Sequence, residues 1–155
     1  MNSINSFKSV KEIRDIETDK LTGYLVDGMT VPLVKDNRHY QQVQKWIQAG
    51  NKPEPAYTKE QRDKYLLDKK IQKWKKERQE KVDNIEVTYN NVVYQGDELS
   101  QTRIARAITA MGDSDTIDWV AKDNSVHPLT KDDLKAILLK AGQEQSKIWV
   151  EGRPE

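Results

Sequence analysis

The sequence predicts an α+β protein in which short β-hairpins are followed by amphipathic helices. Residues 85–89 alternate apolar and polar side chains, and the apolar residues 92–94 return as a second strand. Asn90-Asn91 between them readily takes the positive φ angles of a two-residue turn. Apolar side chains then recur at helical spacing up to Met111. Asp27-Gly28, between two further apolar runs, is typical of a second hairpin. We therefore expect small sheets packed against helices.

Residues 1–50 are predicted to form an N-terminal hairpin–helix unit. Four apolar side chains near its start are spaced three residues apart, namely Phe7, Val10, Ile13 and Ile16. This spacing fits a short helix. The hairpin around Asp27-Gly28 follows, and Pro32 places its second strand at a sheet edge because proline lacks the N–H of a ladder donor.

A capped helix and an extended segment complete this part of the chain. Asn37 is placed to cap the helix, and Gly50 lies where a left-handed residue ends it. Pro53 and Pro55 forbid helical continuation, so residues 51–58 are predicted to form a Pro-rich linker.

Residues 59–83 are predicted to form a charged helical spacer, because they lack Gly and Pro and are rich in helix formers. Thr58 and Gln61 match a capping box. The spacer has one thin apolar stripe, formed by Leu67, Ile71 and Trp74. This stripe covers about two heptads, short of the roughly three to four that predict a coiled coil. A homo-oligomer formed through the spacer therefore stays open as an alternative.

Residues 84–150 predict a compact β-β-α-β-β-α module, followed by a tail at residues 151–155. Either Asp97 or Ser100 can cap the first helix of this module. Thr130 and Asp133 match a second capping box at the start of the last helix.

The composition argues against several classes of function. The 155 residues include no Cys, which excludes disulfide frameworks and thiol nucleophiles. No run approaches the roughly 18 apolar residues of a membrane span, and the first residues lack the pattern of a signal peptide, so we expect a soluble protein. There is no Gly-x-Ser-x-Gly elbow and no phosphate-binding glycine loop. We expect no enzyme, no catalytic residues and no cofactor.

Charge is distributed unevenly along the chain. Residues 59–81 hold 10 basic and 5 acidic side chains, whereas residues 82–155 hold 8 and 13. The basic run 69–78 is a candidate nucleic-acid-binding segment. Acidic residues are interspersed with the basic ones and favour a solvated helix face instead, so we expect no nucleic acid partner. The acidic residues between 113 and 123 lack the ligand spacing of a calcium loop, so no metal is expected.

Several short motifs carry a resemblance to a known family. They include Val87-Thr88-Tyr89-Asn90, Ser100-Gln101-Thr102-Arg103-Ile104 and Ile117-Asp118-Trp119. With them, residues 84–149 resemble the C-terminal domain of unknown function that ends many tail and tail-fibre proteins of tailed bacteriophages. Residues 37–58 resemble a short module common in such proteins. The resemblance implies a place in the virion tail, with synthesis in the cytoplasm of the host bacterium, and implies no active site.

The expected function is therefore that of a non-enzymatic bacteriophage tail protein. It would be a structural component or adaptor at a tail-fibre or baseplate attachment point, docking with other tail or fibre proteins. A tail-fibre assembly chaperone that leaves the virion and a glycan-binding module for host recognition stay open as alternatives. The side chains expected to contact partners are Leu67, Ile71, Trp74, Gln101, Arg103, Trp119 and Trp149.

Overall fold

The structure is a computed structural model that describes residues 7–155. These residues form seven strands and four helices, which confirms the α+β class. The chain divides into two compact units, Met1–Lys69 and Lys70–Glu155, and we refer to them as unit 1 and unit 2. The first six residues of the predicted N-terminal module lie outside the described residues.

Unit 1 is built on a three-stranded antiparallel sheet. Its strands lie in the order β1 (Val10–Arg14), β2 (Leu21–Val26) and β3 (Met29–Pro32). Helix α1 (Arg38–Gln48) packs on this sheet, and the long helix α2 (Lys59–Asp83) starts in the same unit. The side chains that form the core are Val10, Tyr24, Val26, Val31 and Val43.

The predicted short helix near the N-terminus is wrong, because residues 10–14 form strand β1. Val10 pairs with Val26, and the register shifts after Ile13. A spacing of three between apolar residues fits a helical stripe, but a partner strand satisfies the backbone N–H and C=O groups equally well. The long-range pairing with β2 therefore decides the conformation of this segment.

The hairpin between β2 and β3 forms as predicted. Asp27 and Gly28 take positive φ angles of 46° and 87°, as the two-residue turn requires. Pro32 lies on the edge strand of the sheet. Gly23 is required in β2, because a Cβ atom there would lie 2.7 Å from the carbonyl oxygen of Val31.

The caps of α1 are also confirmed, and the Pro-rich segment after it has a role in unit 1. The Asn37 side chain accepts a hydrogen bond from the N–H of Tyr40, and Gly50 has a φ of 95°. Glu54, in the centre of the predicted linker, bonds to β1: its N–H donates to the Val10 carbonyl and its carbonyl accepts from the Glu12 N–H, both at 2.8 Å. This segment therefore extends the sheet locally.

Unit 2 contains two hairpins, each followed by a helix. The first is β4 (Glu86–Tyr89) and β5 (Val92–Gln95) with α3 (Glu98–Ala110), and the second is β6 (Thr116–Val120) and β7 (Val126–Thr130) with α4 (Lys131–Val150). The predicted β-β-α-β-β-α order is confirmed. Helix α4 continues through Gly142, where a Cβ atom would meet nothing within 4 Å.

Local signals place the elements of unit 2. Asn90 and Asn91 take φ angles of 48° and 62° in the first turn. Asp97, one of the two predicted candidates, caps α3 by accepting a 3.0 Å hydrogen bond from the N–H of Ser100. Thr130 and Asp133 form the predicted capping box of α4.

The core of unit 2 lies between the hairpins and the helices. Its fully covered side chains come from α2, α3 and α4, and they are Val82, Ile104, Leu134, Ile137 and Ala141. The N–H of Lys122 donates to the carbonyl of Val93 at 2.9 Å and joins the second hairpin to the first. Val82 places the second half of α2 in this core.

None of the helices described is both long and apolar enough to cross a membrane.

Candidate functional site

Two of the tryptophans predicted to bind partners meet in unit 2 around an arginine. Trp74 and Arg78 lie one turn apart on α2, and Trp149 lies at the end of α4. The Cζ atom of Arg78 is 4.5 Å from the ring centroid of Trp74 and 3.9 Å from that of Trp149. Both distances are within the roughly 6 Å range of cation–π attraction. We call Trp74, Arg78 and Trp149 the Trp–Arg–Trp cluster.

Main-chain and ionic contacts hold the cluster in place. The indole N–H of Trp74 donates a 2.8 Å hydrogen bond to the carbonyl oxygen of Glu151. The carboxylate of Glu151 lies 3.4 Å from the Lys81 ammonium. Gly152 turns the chain past the end of α4 with a φ of 64°. The cluster is therefore pre-organised by contacts from both helices.

The guanidinium group of Arg78 lacks hydrogen-bond and salt-bridge partners in the described structure. Its Nε atom is buried and has no hydrogen-bond partner among residues 7–155. No carboxylate of the described residues lies within 4.0 Å of its guanidinium group. Trp149 is 43% exposed and the neighbouring Val150 is 75% exposed. The cluster thus presents the edge of Trp149 and the side chain of Val150 at the surface, next to a half-buried cation that no carboxylate neutralises.

Arg103 and Trp119, also predicted to bind partners, line a separate cleft of about 370 Å³. Trp119 packs partly against the core, so that its ring forms a fixed wall. Polar side chains that can donate or accept hydrogen bonds also line this cleft: Gln95, Asp118 and Asn124. The cleft therefore combines one aromatic surface with several hydrogen-bonding groups.

The other three predicted residues are not members of these two sites. The Gln101 amide donates to the Gly96 carbonyl at 2.9 Å and to Gln145 at 2.6 Å, so that it joins α3 to its neighbours. Leu67 belongs to unit 1 and is 36% exposed. Ile71 is half-buried on α2. The predicted stripe of Leu67, Ile71 and Trp74 therefore does not form one site within unit 2.

A larger open cleft of about 680 Å³ contains Ser125 and His127. The Ser125 hydroxyl lies 2.8 Å from His127 Nε2 and also bonds to the carboxylate of Asp123. Hydrogen bonds from the hydroxyl and then the N–H of Ser125 hold the pKa of Asp123 below its usual value. In a catalytic triad the carboxylate orients the histidine, whereas here it bonds to the serine and closes a turn.

Potential metal ligands are dispersed in the described part of the chain. Within residues 7–155, no group of three or more His, Asp or Glu side chains is arranged to hold an ion. The two histidines differ in setting, since His39 is exposed on α1 and His127 packs edge-on against Tyr94 with ring centroids 6.3 Å apart.

Comparison with known families matches the part of the chain that holds both sites. The model of the family described as Domain of unknown function (DUF4376) matches residues 66–152, more than half of the chain. The chain belongs to the DUF4376 family. No curated protein and no solved structure matches it significantly.

The DUF4376 segment includes the second half of α2 as well as the β-β-α-β-β-α module. All three members of the Trp–Arg–Trp cluster therefore lie inside the DUF4376 domain, as do Arg103 and Trp119. The module was predicted to start at residue 84, whereas the family match starts at residue 66 and unit 2 at Lys70. The family description names no activity.

Sequence reasoning missed Arg78, although a signal for it was present. Trp74 and Arg78 are four residues apart on a predicted helix, a spacing at which side chains meet on the helix surface. Arg over Trp is the common form of the cation–π pair. The contribution of Trp149 depends on the packing of α4 against α2, which no local pattern predicts.

Proposed function

We propose that this chain is a non-enzymatic bacteriophage tail protein that docks to another tail or fibre protein. It would act as a structural component or adaptor at a tail-fibre or baseplate attachment point. The observation that carries the docking role is the partly exposed Trp–Arg–Trp cluster of the DUF4376 domain, in which Trp149 lies at the surface. The phage context is supported by the likeness of residues 84–149 to the C-terminal domains of phage tail proteins.

The composition and rigidity of the cluster favour a docking role. Trp and Arg are enriched among the residues that dominate binding energy at protein interfaces. Binding costs less free energy when such side chains are already ordered in the unbound protein. Trp74 is fixed by its hydrogen bond to Glu151, and Arg78 contacts both indole rings. A partner would therefore meet a preformed surface with an exposed apolar rim at Val150.

Quantitative mass spectrometry of purified phage particles tests the location. A structural component is expected at a fixed number of copies per particle. Absence from particles, combined with loss of fibres when the gene is deleted, would instead favour the assembly chaperone.

A matched pair of variants tests the docking surface. Trp149→Ser is expected to abolish co-purification of the tail partner, because it removes the aromatic edge of the cluster. Val126→Ser is the control, since Val126 is also exposed but lies on β7. Equal retention of the partner by both variants would contradict docking through the cluster, provided that both fold.

A glycan-binding role is the second candidate, and the Arg103–Trp119 cleft is the observation that favours it. Sugars stack on aromatic rings and exchange hydrogen bonds with amide and carboxylate groups, which this cleft supplies. A glycan array followed by calorimetry would test it. We expect any bound glycan to be lost in Arg103→Ala and kept in Arg106→Ala, and an array without hits would exclude this role.

A further inference from the structure

We propose that the partner of the Trp–Arg–Trp cluster presents a carboxylate, from an Asp or Glu side chain, that pairs with Arg78. This inference rests on the proposed docking function and names the chemistry of the partner. The observation behind it is that no acidic side chain of the described residues neutralises the charge of Arg78.

The cation–π contacts leave the hydrogen-bonding capacity of Arg78 unused. A guanidinium group has five N–H donors in one plane. Aromatic faces attract its charge but accept its N–H groups poorly. The described residues bring no carboxylate within 4.0 Å of the guanidinium group. Its Nε atom is buried, so a partner's carboxylate would pair with the two Nη groups. A carboxylate fits because it can accept two parallel N–H bonds from a guanidinium group.

Glu77 and Glu80, which flank Arg78 on α2, and Glu151 beside Trp74 are already paired. Glu151 pairs with Lys81 at 3.4 Å. Glu77 lies 3.7 Å from Lys73, and Glu80 lies 3.9 Å from Lys76, each within α2. These lysines therefore draw the nearby carboxylates away from Arg78.

The remaining cations favour an acidic partner. Residues 70–81 carry six basic and two acidic side chains. Lys70 and Lys75 form no salt bridge with the residues that the structure describes. Lys75 lies three residues before Arg78 on the same helix, a spacing at which like charges repel. A carboxylate from outside would relieve this repulsion, and the positive field would attract it.

The same helix argues against a polyanion such as nucleic acid. Glu77 and Glu80 lie on α2 with Arg78, and Glu151 lies beside Trp74. A nucleic acid backbone carries closely spaced charges and requires an array of free cations. Three of the six basic side chains in residues 70–81 are already paired with these carboxylates. A single acidic side chain of a partner protein needs only one contact, at Arg78. The partner residues around it can then cover Trp149 and Val150.

Nuclear magnetic resonance of the 155-residue chain tests the proposal at the atoms concerned. The reporters are the indole N–H signals of Trp74 and Trp149 and the Nε–H signal of Arg78. The probes are a peptide of alternating Glu and Gly, its Gln-for-Glu counterpart, and a single-stranded DNA oligonucleotide. We expect the Glu peptide alone to shift the Arg78 and Trp149 signals in a saturable way.

Two variants separate the pairing from general charge attraction. Arg78→Lys keeps the positive charge but loses the planar donor pair, and it is expected to weaken binding of the Glu peptide about tenfold. Arg106→Lys on α3 is the matched control and is expected to bind as the wild type does. Equal shifts with the Gln peptide, stronger shifts with DNA, or no shift with the Glu peptide would each overturn the proposal.

The proposal and the docking function can fail separately. If a tail protein docks through Trp149 but binds unchanged after its surface Asp and Glu residues are replaced by Asn and Gln, the carboxylate pairing is wrong and docking stands. If the Glu peptide binds at Arg78 but no tail protein co-purifies, the pairing stands and the proposed function fails.

Discussion

The indole N–H of Trp74 donates a 2.8 Å hydrogen bond to the carbonyl oxygen of Glu151, which lies 77 residues later in the chain. This bond joins the middle of α2 to the end of α4 within unit 2. By composition, residues 70–83 are typical of a solvated helix. Their packing, through Trp74, Arg78 and Val82, makes them part of the DUF4376 domain.

We expect Val82→Ala to destabilise unit 2 by about 2 kcal/mol, because it leaves a cavity in the core. Val82 is fully buried in the same cluster as Ile148 of α4. Lys76→Ala, at an exposed position of α2, is the control and is expected to change the stability by less than about 0.5 kcal/mol. Urea unfolding followed by circular dichroism measures both. Equal free energies of unfolding for the Val82→Ala and Lys76→Ala variants would show that α2 contributes little to this core.

The first turn of unit 2 offers a stabilising change. Asn91 has a φ of 62°, a conformation that costs glycine no strain. Asn91→Gly is therefore expected to raise the free energy of unfolding, and Asn91→Ala to lower it by about 1 kcal/mol, since a Cβ atom is unfavourable there. Thermal unfolding of the three proteins should rank them Gly, Asn, Ala, and the reverse order would contradict the assigned turn.

The start of α4 gives a prediction about the capping box. The Thr130 side chain accepts a hydrogen bond from the N–H of Asp133 and satisfies an otherwise unpaired donor. Thr130→Ala is expected to cost about 1 kcal/mol of stability. Thr109→Ala serves as control, because Thr109 bonds within the last turns of α3 and caps no helix. A similar loss in both variants would argue against a specific capping contribution.

Stability should fall at acid pH in a way that depends on Asp133. Hydrogen bonds from the Thr130 hydroxyl, and then from the Tyr89 hydroxyl at 2.7 Å, lower the pKa of Asp133 in the folded protein. A lowered carboxyl pKa stabilises the folded state above the unfolded value of about 3.9, and this contribution is lost as the pH falls through the folded pKa.

Carbon-detected titration of Asp133 checks this directly. In the wild type its pKa is expected below the usual range, and in Tyr89→Phe it should rise because one donor to the carboxylate is lost. Melting temperatures should drop between neutral and acid pH more steeply in the wild type than in Asp133→Asn. Parallel pH profiles in these two proteins would contradict the assignment.

Local sequence signals predicted most of the elements and little of the site. Turns and caps at Asn90-Asn91, Asp97 and Thr130 depend on side chains close in sequence, so the pattern is sufficient. The strand at residues 10–14 depends on pairing with β2, and its apolar spacing suits a helix as well. The Trp–Arg–Trp cluster depends on how α4 meets α2, which is a property of the packed core.

Photo-cross-linking in intact phage particles tests the central claim most directly. A photoreactive amino acid at Val150 lies next to Trp149, and one at Val126 is the control on an equally apolar exposed site. Docking through the Trp–Arg–Trp cluster predicts a covalent adduct from position 150 to one tail or fibre protein, lost when Trp149→Ser is added. No adduct from position 150, or the same adduct from both positions, would contradict the claim.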